Sequence, residues 1–237
     1  MHANNETGII QPIEEIGEAL SKKGVLFHVD ATQSCGKLVE ELRTTKYDML
    51  SLSAHKFNGP QGVGALVLRK KRYKLPPVKA VSYGGQQEHG IRPGTIPVAL
   101  VAGLGKACEI ATGEYKKNYA HCAEIKEAVL RIIEESGIDY TYNGTQEFCM
   151  PNTINVSFKG VESEALMLSS KQYCGISNGS ACTSNDYSPS YVLTAMGIDN
   201  DTISSSIRIS WGSDSDIIAI TDNIRQLLEV AKGLSFS

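Results

Sequence analysis

The chain has 237 residues, of which 41% are hydrophobic and 21% are charged, so it can bury the core of one large or two small domains. This composition excludes a disordered or collagen-like chain. Lysine and arginine total 23 against 26 aspartate and glutamate residues, which leaves a net charge of −3 and no basic surplus for a phosphate backbone. We therefore expect no direct binding of nucleic acid.

The cysteines and the hydropathy pattern indicate the cellular compartment of the protein. Six cysteines occur at irregular spacings without a C-x-x-C pair, and no stretch at the N-terminus is typical of a signal peptide. The most apolar stretch, residues 96–104, is too short to span a bilayer. We expect a cytoplasmic protein with reduced thiols, no membrane partner and no metal site.

Helical and strand patterns alternate along the first part of the chain. A helix is predicted from Pro12 to about Lys23, with Gly24 as its stop signal. Strands are predicted at Val25–Asp30, Asp48–Ser53 and Gly64–Arg69. The alternation favours an α/β fold with a parallel sheet, and the short turn before the third strand indicates a hairpin-like reversal.

The pattern changes after a long glycine-rich segment, residues 71–95, which lacks periodicity and is typical of a functional loop. Two helices are predicted at about 96–111 and 115–135, and a last one at about 215–232. Strands are predicted in the stretches GIDYTYN, NTINVSF and SIRIS. This organisation predicts two domains, residues 1–113 and residues 114–237.

Two of the predicted strands end in a chemical group: Asp30 closes the first, and Lys56 follows the second. Because ligands collect at the carboxyl ends of parallel strands, both side chains could face one crevice, although charges at strand ends are more often a solvated ion pair. Polar neighbours favour a ligand site, namely His28, Gln33, Ser53 and His55. A lysine amine with an aspartate for a pyridinium nitrogen is the pair that pyridoxal phosphate requires.

Cys182 and Arg208 lie in two further segments that indicate chemistry. Cys182 is in ISNGSACTSND, whose small polar residues cannot build a core, so we expect an exposed thiolate that can reach a substrate. The other five cysteines are interpreted as small buried hydrophobic residues. Arg208 lies among hydroxyl groups in SSSIRISWG, where its guanidinium could pair with the carboxylate of an amino-acid substrate or simply lie at the surface.

Several motifs together resemble a known family. The segments HVDATQS, SLSAHKFNGPQGVGAL, GGQQEHGIRPGT, SNGSACTS followed by PSYVL, and SSIRIS are similar, in this order, to the NifS/IscS-type cysteine desulfurases. These are class V members of the fold-type I pyridoxal-phosphate enzymes. The resemblance implies an α/β fold in which residues 1–113 are the C-terminal part of a large, mainly parallel-sheet domain that binds the cofactor. Residues 114–237 would form a smaller α+β C-terminal domain that carries the Cys182 loop.

The resemblance also implies a role for each candidate residue. Lys56 would bind pyridoxal 5'-phosphate covalently, and Asp30 would pair with the nitrogen of its pyridine ring. Further residues would contact the ring oxygen or the phosphate of the cofactor, namely Asn5, Gln33, Ser53 and His55. Thr95 would reach the phosphate in the neighbouring subunit of a homodimer. Arg208, together with Asn5, would bind the substrate carboxylate.

The implied reaction converts L-cysteine to L-alanine and leaves a persulfide on Cys182. A sulfur-acceptor protein would then take the sulfur into iron-sulfur cluster assembly or a thio-modification pathway. The N-terminal part of the family's sequence has no counterpart here, and it would include a phosphate-binding turn and a histidine that stacks on the pyridine ring. The resemblance therefore implies a truncated chain that needs this segment for activity.

Two other functions remain open at this point. A selenocysteine lyase or an aminotransferase of class V would share Lys56 and Asp30 but would not need Cys182. Alternatively, the chain is a non-catalytic interaction module, which binds a sulfur acceptor or a sister subunit without binding the cofactor.

Overall fold

The computed structural model describes residues 1–178 and 189–235, which divide into two compact units. The first unit contains residues 1–3 and 11–116, and the second contains residues 4–10 together with the chain from residue 117 onward. The boundary predicted after residue 113 stays a prediction. No helix within the described residues is long and apolar enough to cross a membrane.

The first unit is built around a small mixed sheet. Its helices are α1 (Ile13–Lys22), α2 (Val39–Thr44) and the part of α3 (Val98–Glu135) up to residue 116, with 3-10 turns at Ala54–Phe57 and Glu88–Gly90. Its strands are β1 (His28–Asp30), β2 (Met49–Ser53) and β3 (Gly64–Leu68), in the order β1-β2-β3. β1 and β2 are parallel, whereas β3 runs antiparallel to β2. The predicted hairpin-like reversal before β3 is therefore confirmed.

β1 is shorter than the predicted strand, because the residues before it cap the end of α1. Gly24 has a left-handed backbone (φ 66°), and the amide of Val25 donates to the carbonyl of Leu20. This cap turns the chain back over the last turn of the helix, and Val25 and Leu26 are each 48% exposed. The prediction of a strand is wrong for residues 25–27.

Two apolar clusters hold the first unit together. One packs Val29 and Leu50 of the sheet against Ile13 of α1. The other packs Phe57, in the 3-10 turn after β2, against Leu104 of α3. This second cluster fixes the turn that follows β2 by burying one of its side chains.

The second unit has an antiparallel sheet in the order β4-β5-β6, formed by Tyr140–Tyr142, Thr153–Phe158 and Ser206–Ser210. The helices around it are the remainder of α3, α4 (Ser163–Ser170), α5 (Tyr191–Ala195), α6 (Asn200–Ser204) and α7 (Ile217–Ser235), and a 3-10 turn covers Gln146–Phe148. The three predicted strands are confirmed. All six residues of β5 are buried, because the strand is central in the sheet and packs against Ile125 of α3 and Leu227 of α7.

A single helix, α3, replaces the two helices predicted on either side of residues 112–114. Gly113 lies inside it, and a glycine in a helix interior costs only about 1 kcal/mol relative to alanine. Buried side chains on both sides of this glycine, Leu104 and Ile125, outweigh that cost. The helix break predicted here is therefore wrong.

Candidate active site

The candidate residues of the first unit lie at the carboxyl ends of β1 and β2 or in the turns that follow them. The two strands are parallel, and Asp30 is the register partner of Ser51. Asp30 is the last residue of β1 and Ser53 is the last residue of β2, so both strands end at the same edge of the sheet. Because neighbouring strands lie about 4.8 Å apart, the turns that follow these ends lie side by side.

Asp30 is held in place but keeps its charge unpaired. Its half-buried carboxylate accepts a hydrogen bond at Oδ1 from the amide of Thr32 (2.9 Å), and its carbonyl accepts one from the amide of His2 (2.8 Å). No lysine or arginine within residues 1–178 and 189–235 forms an ion pair with it. An oriented carboxylate without a cation suits a protonated ring nitrogen.

Lys56 lies in the 3-10 turn after β2. This turn ends at Asn58, whose backbone is left-handed (φ 64°), and the amide of Gly59 donates to the carbonyl of Ala54 (2.9 Å). Lys56 is half-buried, and its amine forms no ion pair with a carboxylate in the part of the chain that the structure describes. The neighbouring Phe57 is buried against Leu104, which anchors the turn that carries this amine.

Ser53 and His55 are directly bonded to each other. Ser53 Oγ and His55 Nδ1 lie 2.9 Å apart, with Ser53 half-buried and His55 exposed. A hydroxyl and an imidazole in this arrangement can both donate hydrogen bonds to phosphate oxygens when the imidazole is protonated. Gln33 is half-buried in the turn after β1, at the same edge of the sheet.

Lys37 is a further residue of this edge, and no motif distinguishes it from an ordinary surface lysine. Its ammonium donates to the carbonyl of Lys56 (2.7 Å) and to the carbonyl of Gln33 (3.2 Å). It therefore connects the turn after β1 with the turn after β2. A sequence-based search of the residues between the two strand ends could have included it, but only the distances reveal the connection.

Arg208 and Asn5 are in contact within the second unit. Arg208 Nη1 donates to the carbonyl of Asn5 (2.8 Å), and Asn155 Nδ2 donates to the carbonyl of the next residue, Glu6 (3.2 Å). Arg208 and Asn155 are register partners on β6 and β5. Two strands thus hold two successive carbonyls of the segment 4–10.

The Arg208 guanidinium retains capacity for a ligand. It is half-buried, and it forms no ion pair with an aspartate or glutamate among the described residues. One of its five N–H groups bonds Asn5, and the others can bind a planar carboxylate.

Three expectations concern residues away from these clusters. Thr95 is exposed and follows Gly94, whose amide donates to Gln87 Oε1 (3.1 Å). Cys182 lies outside the described residues. The five cysteines within them form no disulfide, and burial, with a smaller contribution from Cys108, raises the pKa of Cys35 to about 11. Burial also raises the pKa of Cys108, Cys149 and Cys174. Cys122 and Cys149 are buried, as expected for small hydrophobic residues, whereas Cys35, Cys108 and Cys174 are only half-buried.

The groups at the strand ends fit pyridoxal phosphate by their chemistry. The cofactor needs an amine for its aldehyde carbon, a carboxylate for its ring nitrogen, and polar groups for its ring oxygen and phosphate. The two turns of the first unit supply these groups through Asp30, Gln33, Ser53, His55 and Lys56. The first unit is therefore a suitable site for this cofactor.

Comparison with known proteins identifies the family. Residues 1–218 match the family model described as "Aminotransferase class-V". The chain belongs to this family. A "Cysteine desulfurase IscS" of Vibrio vulnificus is 40% identical over 239 residues, which include 99% of this chain. The sequence resemblance to the NifS/IscS-type enzymes is therefore confirmed.

Two solved structures support the fold. A "NIFS-LIKE PROTEIN" matches 99% of the chain with a TM-score of 0.86 at 32% identity. A structure described as "SspA in complex with cysteine" matches 90% of the chain with a TM-score of 0.68 at 35% identity. The α/β fold of the fold-type I pyridoxal-phosphate enzymes is confirmed. The chain spans 58% of the Vibrio protein and 60% and 57% of the two solved chains.

Proposed function

We propose that this chain carries the cofactor-binding and substrate-binding residues of a cysteine desulfurase. The edge of the first sheet supports this most strongly, because an amine, a carboxylate and polar groups for one cofactor follow two parallel strands there. Membership of the class-V family and the 40% sequence identity to a cysteine desulfurase agree with it. The segment of the relatives that has no counterpart in this chain is proposed to be needed for full activity.

Each residue of the first unit has a proposed role toward the cofactor. Pyridoxal phosphate, when bound, withdraws electrons from the substrate. The Lys56 amine binds the cofactor's aldehyde carbon and, once released, moves a proton at the substrate's Cα. The Asp30 carboxylate keeps the ring nitrogen protonated. The other residues bind the ring oxygen and the phosphate: Gln33 the oxygen, Ser53 and His55 the phosphate, and Thr95 the phosphate in the second subunit of a homodimer.

L-Cysteine is the proposed substrate. Arg208 binds its carboxylate with two parallel hydrogen bonds, and Asn5 lies beside that carboxylate and contacts the ring oxygen of the cofactor. The solved relative described as bound to cysteine supports this choice of amino acid. Both residues proposed to bind the substrate carboxylate, Arg208 and Asn5, belong to the second unit.

The proposed sulfur transfer uses the thiolate of Cys182. It attacks the sulfur of the substrate, and the carbon–sulfur bond of the substrate breaks with its electron pair going to carbon, which takes up a proton. The products are L-alanine and a persulfide on Cys182, so atoms and electrons balance without an added oxidant. A sulfur-acceptor protein in the cytoplasm then receives the sulfur for iron-sulfur cluster assembly or a thio-modification.

The cofactor site is tested by the visible absorption of the purified chain with pyridoxal phosphate, before and after L-cysteine. We expect a band of lysine-bound cofactor that changes with L-cysteine in the wild type and is absent in Lys56→Ala. Lys106→Ala is the matched control, because Lys106 is exposed on α3 and pairs with Glu109. An equal band in Lys56→Ala would contradict cofactor binding through Lys56, and no band in the wild type would contradict cofactor binding by this chain alone.

The sulfur step is tested by the Cys182→Ser variant. In a preparation whose wild type releases sulfide from L-cysteine in the presence of a dithiol, the variant is expected to bind pyridoxal phosphate like the wild type but to release no sulfide, whereas Cys108→Ser releases it like the wild type. Equal sulfide release from Cys182→Ser would favour a class V enzyme that needs no cysteine nucleophile, such as a selenocysteine lyase.

A further inference from the structure

The backbone of Lys56 is held from a neighbouring turn by a charged side chain. Lys37 Nζ lies 2.7 Å from the carbonyl oxygen of Lys56 and 3.2 Å from that of Gln33. Hydrogen bonds from an ionised donor are shorter and stronger than those between neutral groups. One cation therefore joins the two turns whose residues are proposed to contact the same cofactor.

The residue before Lys37 brings the two turns into contact. Gly36 has a left-handed backbone (φ 75°), and a Cβ placed on it would lie 2.9 Å from the Cβ of Phe57. Only glycine allows so close an approach at this point. Gly36 thus packs on the residue after Lys56, while Lys37 bonds the carbonyl of Lys56 itself. The two contacts act on successive residues of each turn and support each other.

Precise placement matters for a lysine that binds a cofactor covalently. Its side chain has four rotatable bonds, so the position of its backbone decides which positions the amine can reach. Misplacement of a reacting group by about 1 Å can lower a reaction rate by roughly 100-fold. A hydrogen bond to the carbonyl of Lys56 fixes the backbone from which that side chain extends, and it leaves the amine available.

We propose that Lys37 is a positioning residue for Lys56, which holds the turn after β2 in the geometry that binds pyridoxal phosphate. This inference rests on the proposed function of Lys56. It assigns Lys37 no contact with the cofactor or the substrate. Its proposed action is through the bonds to the Lys56 and Gln33 carbonyls.

The test compares the full chain as wild type, Lys37→Met, Lys37→Arg and Lys106→Met. Methionine removes the charge, arginine retains a cation that can bond two carbonyls, and Lys106→Met makes the same change at an exposed lysine of α3. Lys37→Gln replaces Lys37→Met if the latter does not fold. The first measurement is hydrogen exchange of the cofactor-free chain. We expect the amides of residues 54–58 to exchange at least roughly tenfold faster in Lys37→Met, with no change in β5.

The second measurement is the binding of pyridoxal phosphate. In Lys37→Met the dissociation constant is expected to rise roughly tenfold, and the circular dichroism of the bound cofactor, which reports its orientation, is expected to weaken at saturation. Lys37→Arg is expected to restore both values, and Lys106→Met to match the wild type. A merely structural role would not change the dichroism of the cofactor that does bind.

The outcomes separate this inference from the proposed function. Unchanged exchange at residues 54–58 in Lys37→Met overturns the inference. Faster exchange with unchanged affinity and dichroism also overturns it, because Lys37 would then brace the turn without positioning Lys56. If the wild type binds no pyridoxal phosphate, the proposed function of Lys56 fails and the positioning role falls with it. The exchange data still show in that case whether Lys37 holds the turn.

Discussion

Arg208 stabilises the fold through its backbone and one N–H group of its side chain, and its other N–H groups are available for the proposed substrate. Its Nη1 bonds the carbonyl of Asn5, and its backbone pairs with β5 on one side and with Ser177 on the other. The guanidinium is thus fixed in position, with N–H groups left for a carboxylate. A lysine here would retain the charge but would lose the planar fork that allows both uses.

Arg208→Lys tests whether the guanidinium binds the carboxylate of the substrate. We expect the L-cysteine concentration that gives half of the spectral change to rise roughly 10- to 100-fold, because an ammonium cannot offer two parallel hydrogen bonds to a carboxylate. The measurement is a titration of the cofactor band with L-cysteine. Arg225→Lys is the control, since Arg225 is an exposed residue of α7 that pairs with Asp222. Equal midpoints for Arg208→Lys and the wild type would show that Arg208 does not bind the carboxylate.

At the scale of elements, the turn after β1 depends on glycine. A Cβ at Gly36 would lie 2.9 Å from Phe57 and 3.1 Å from Ala111, each measured to a side-chain Cβ. Gly24, at the end of α1, also has a left-handed backbone, but a Cβ there would meet nothing within 4 Å. The two positions therefore share the backbone strain that alanine would introduce, and they differ in steric contact.

Alanine at each of these glycines separates strain from packing. Gly24→Ala is expected to lower the free energy of unfolding by about 1 kcal/mol through backbone strain alone. Gly36→Ala is expected to lower it by about 2–4 kcal/mol, because overpacking against Phe57 adds to that strain. The measurement is urea-induced unfolding of both variants. If Gly36→Ala lowers the free energy of unfolding no more than Gly24→Ala does, the turn after β1 can move away from Phe57 at little cost.

Elements with a strong local pattern could be predicted from the sequence. The stretches NTINVSF and SIRIS are strands, and Asp30 and the Lys56 turn follow neighbouring parallel strands, as the motifs indicated. The local pattern could not predict that Val25 caps α1 or that α3 continues through Gly113, because those outcomes depend on competing hydrogen bonds and on packing of distant residues. For the same reason the sequence does not reveal the contacts of Lys37 and Asn155. Their partners are distant along the chain and are known only from the folded structure. The roles of the motif residues themselves stay predictions.

At the scale of the whole molecule, each unit has its own core, and a buried carboxylate makes the first one sensitive to acid. Asp48 Oδ2 accepts a hydrogen bond from the amide of Phe27 (2.9 Å), and Asp48 Oδ1 pairs with Lys71 Nζ (2.7 Å). Burial raises the pKa of Asp48, but the bonds from Lys71 and Phe27 together outweigh burial and hold the pKa below its usual value of 3.8. This carboxylate ties together the chain before β1, the start of β2 and the chain after β3.

Asp48→Asn should therefore destabilise the first unit in a pH-dependent way. A lowered pKa in the folded state means that the stabilisation is complete well above pH 4 and is lost as the pH falls through the folded-state value. At pH 7 we expect the variant to lose about 1–3 kcal/mol of unfolding free energy in the first unit, and the difference from the wild type to shrink below about pH 4. Hydrogen exchange in β2, with β5 of the second unit as the internal control, measures this. A difference that does not depend on pH would show that the charge of Asp48 is not involved.

The second unit is assembled from segments that lie far apart along the chain. The bond between Arg208 and Asn5 spans 203 positions, and Glu6 is buried with Asn155 bonded to its carbonyl. A ribosome adds about 5–20 residues per second, so segment 4–10 is made roughly 10–40 s before the arginine that holds it. During that interval the carbonyl of Asn5 lacks this partner, although Phe148 and Met150, which pair with Ile10 and Gly8, are made earlier. The nascent chain therefore completes the hydrogen bonds of this segment in steps, and the bond to Asn5 forms only after synthesis has passed β6.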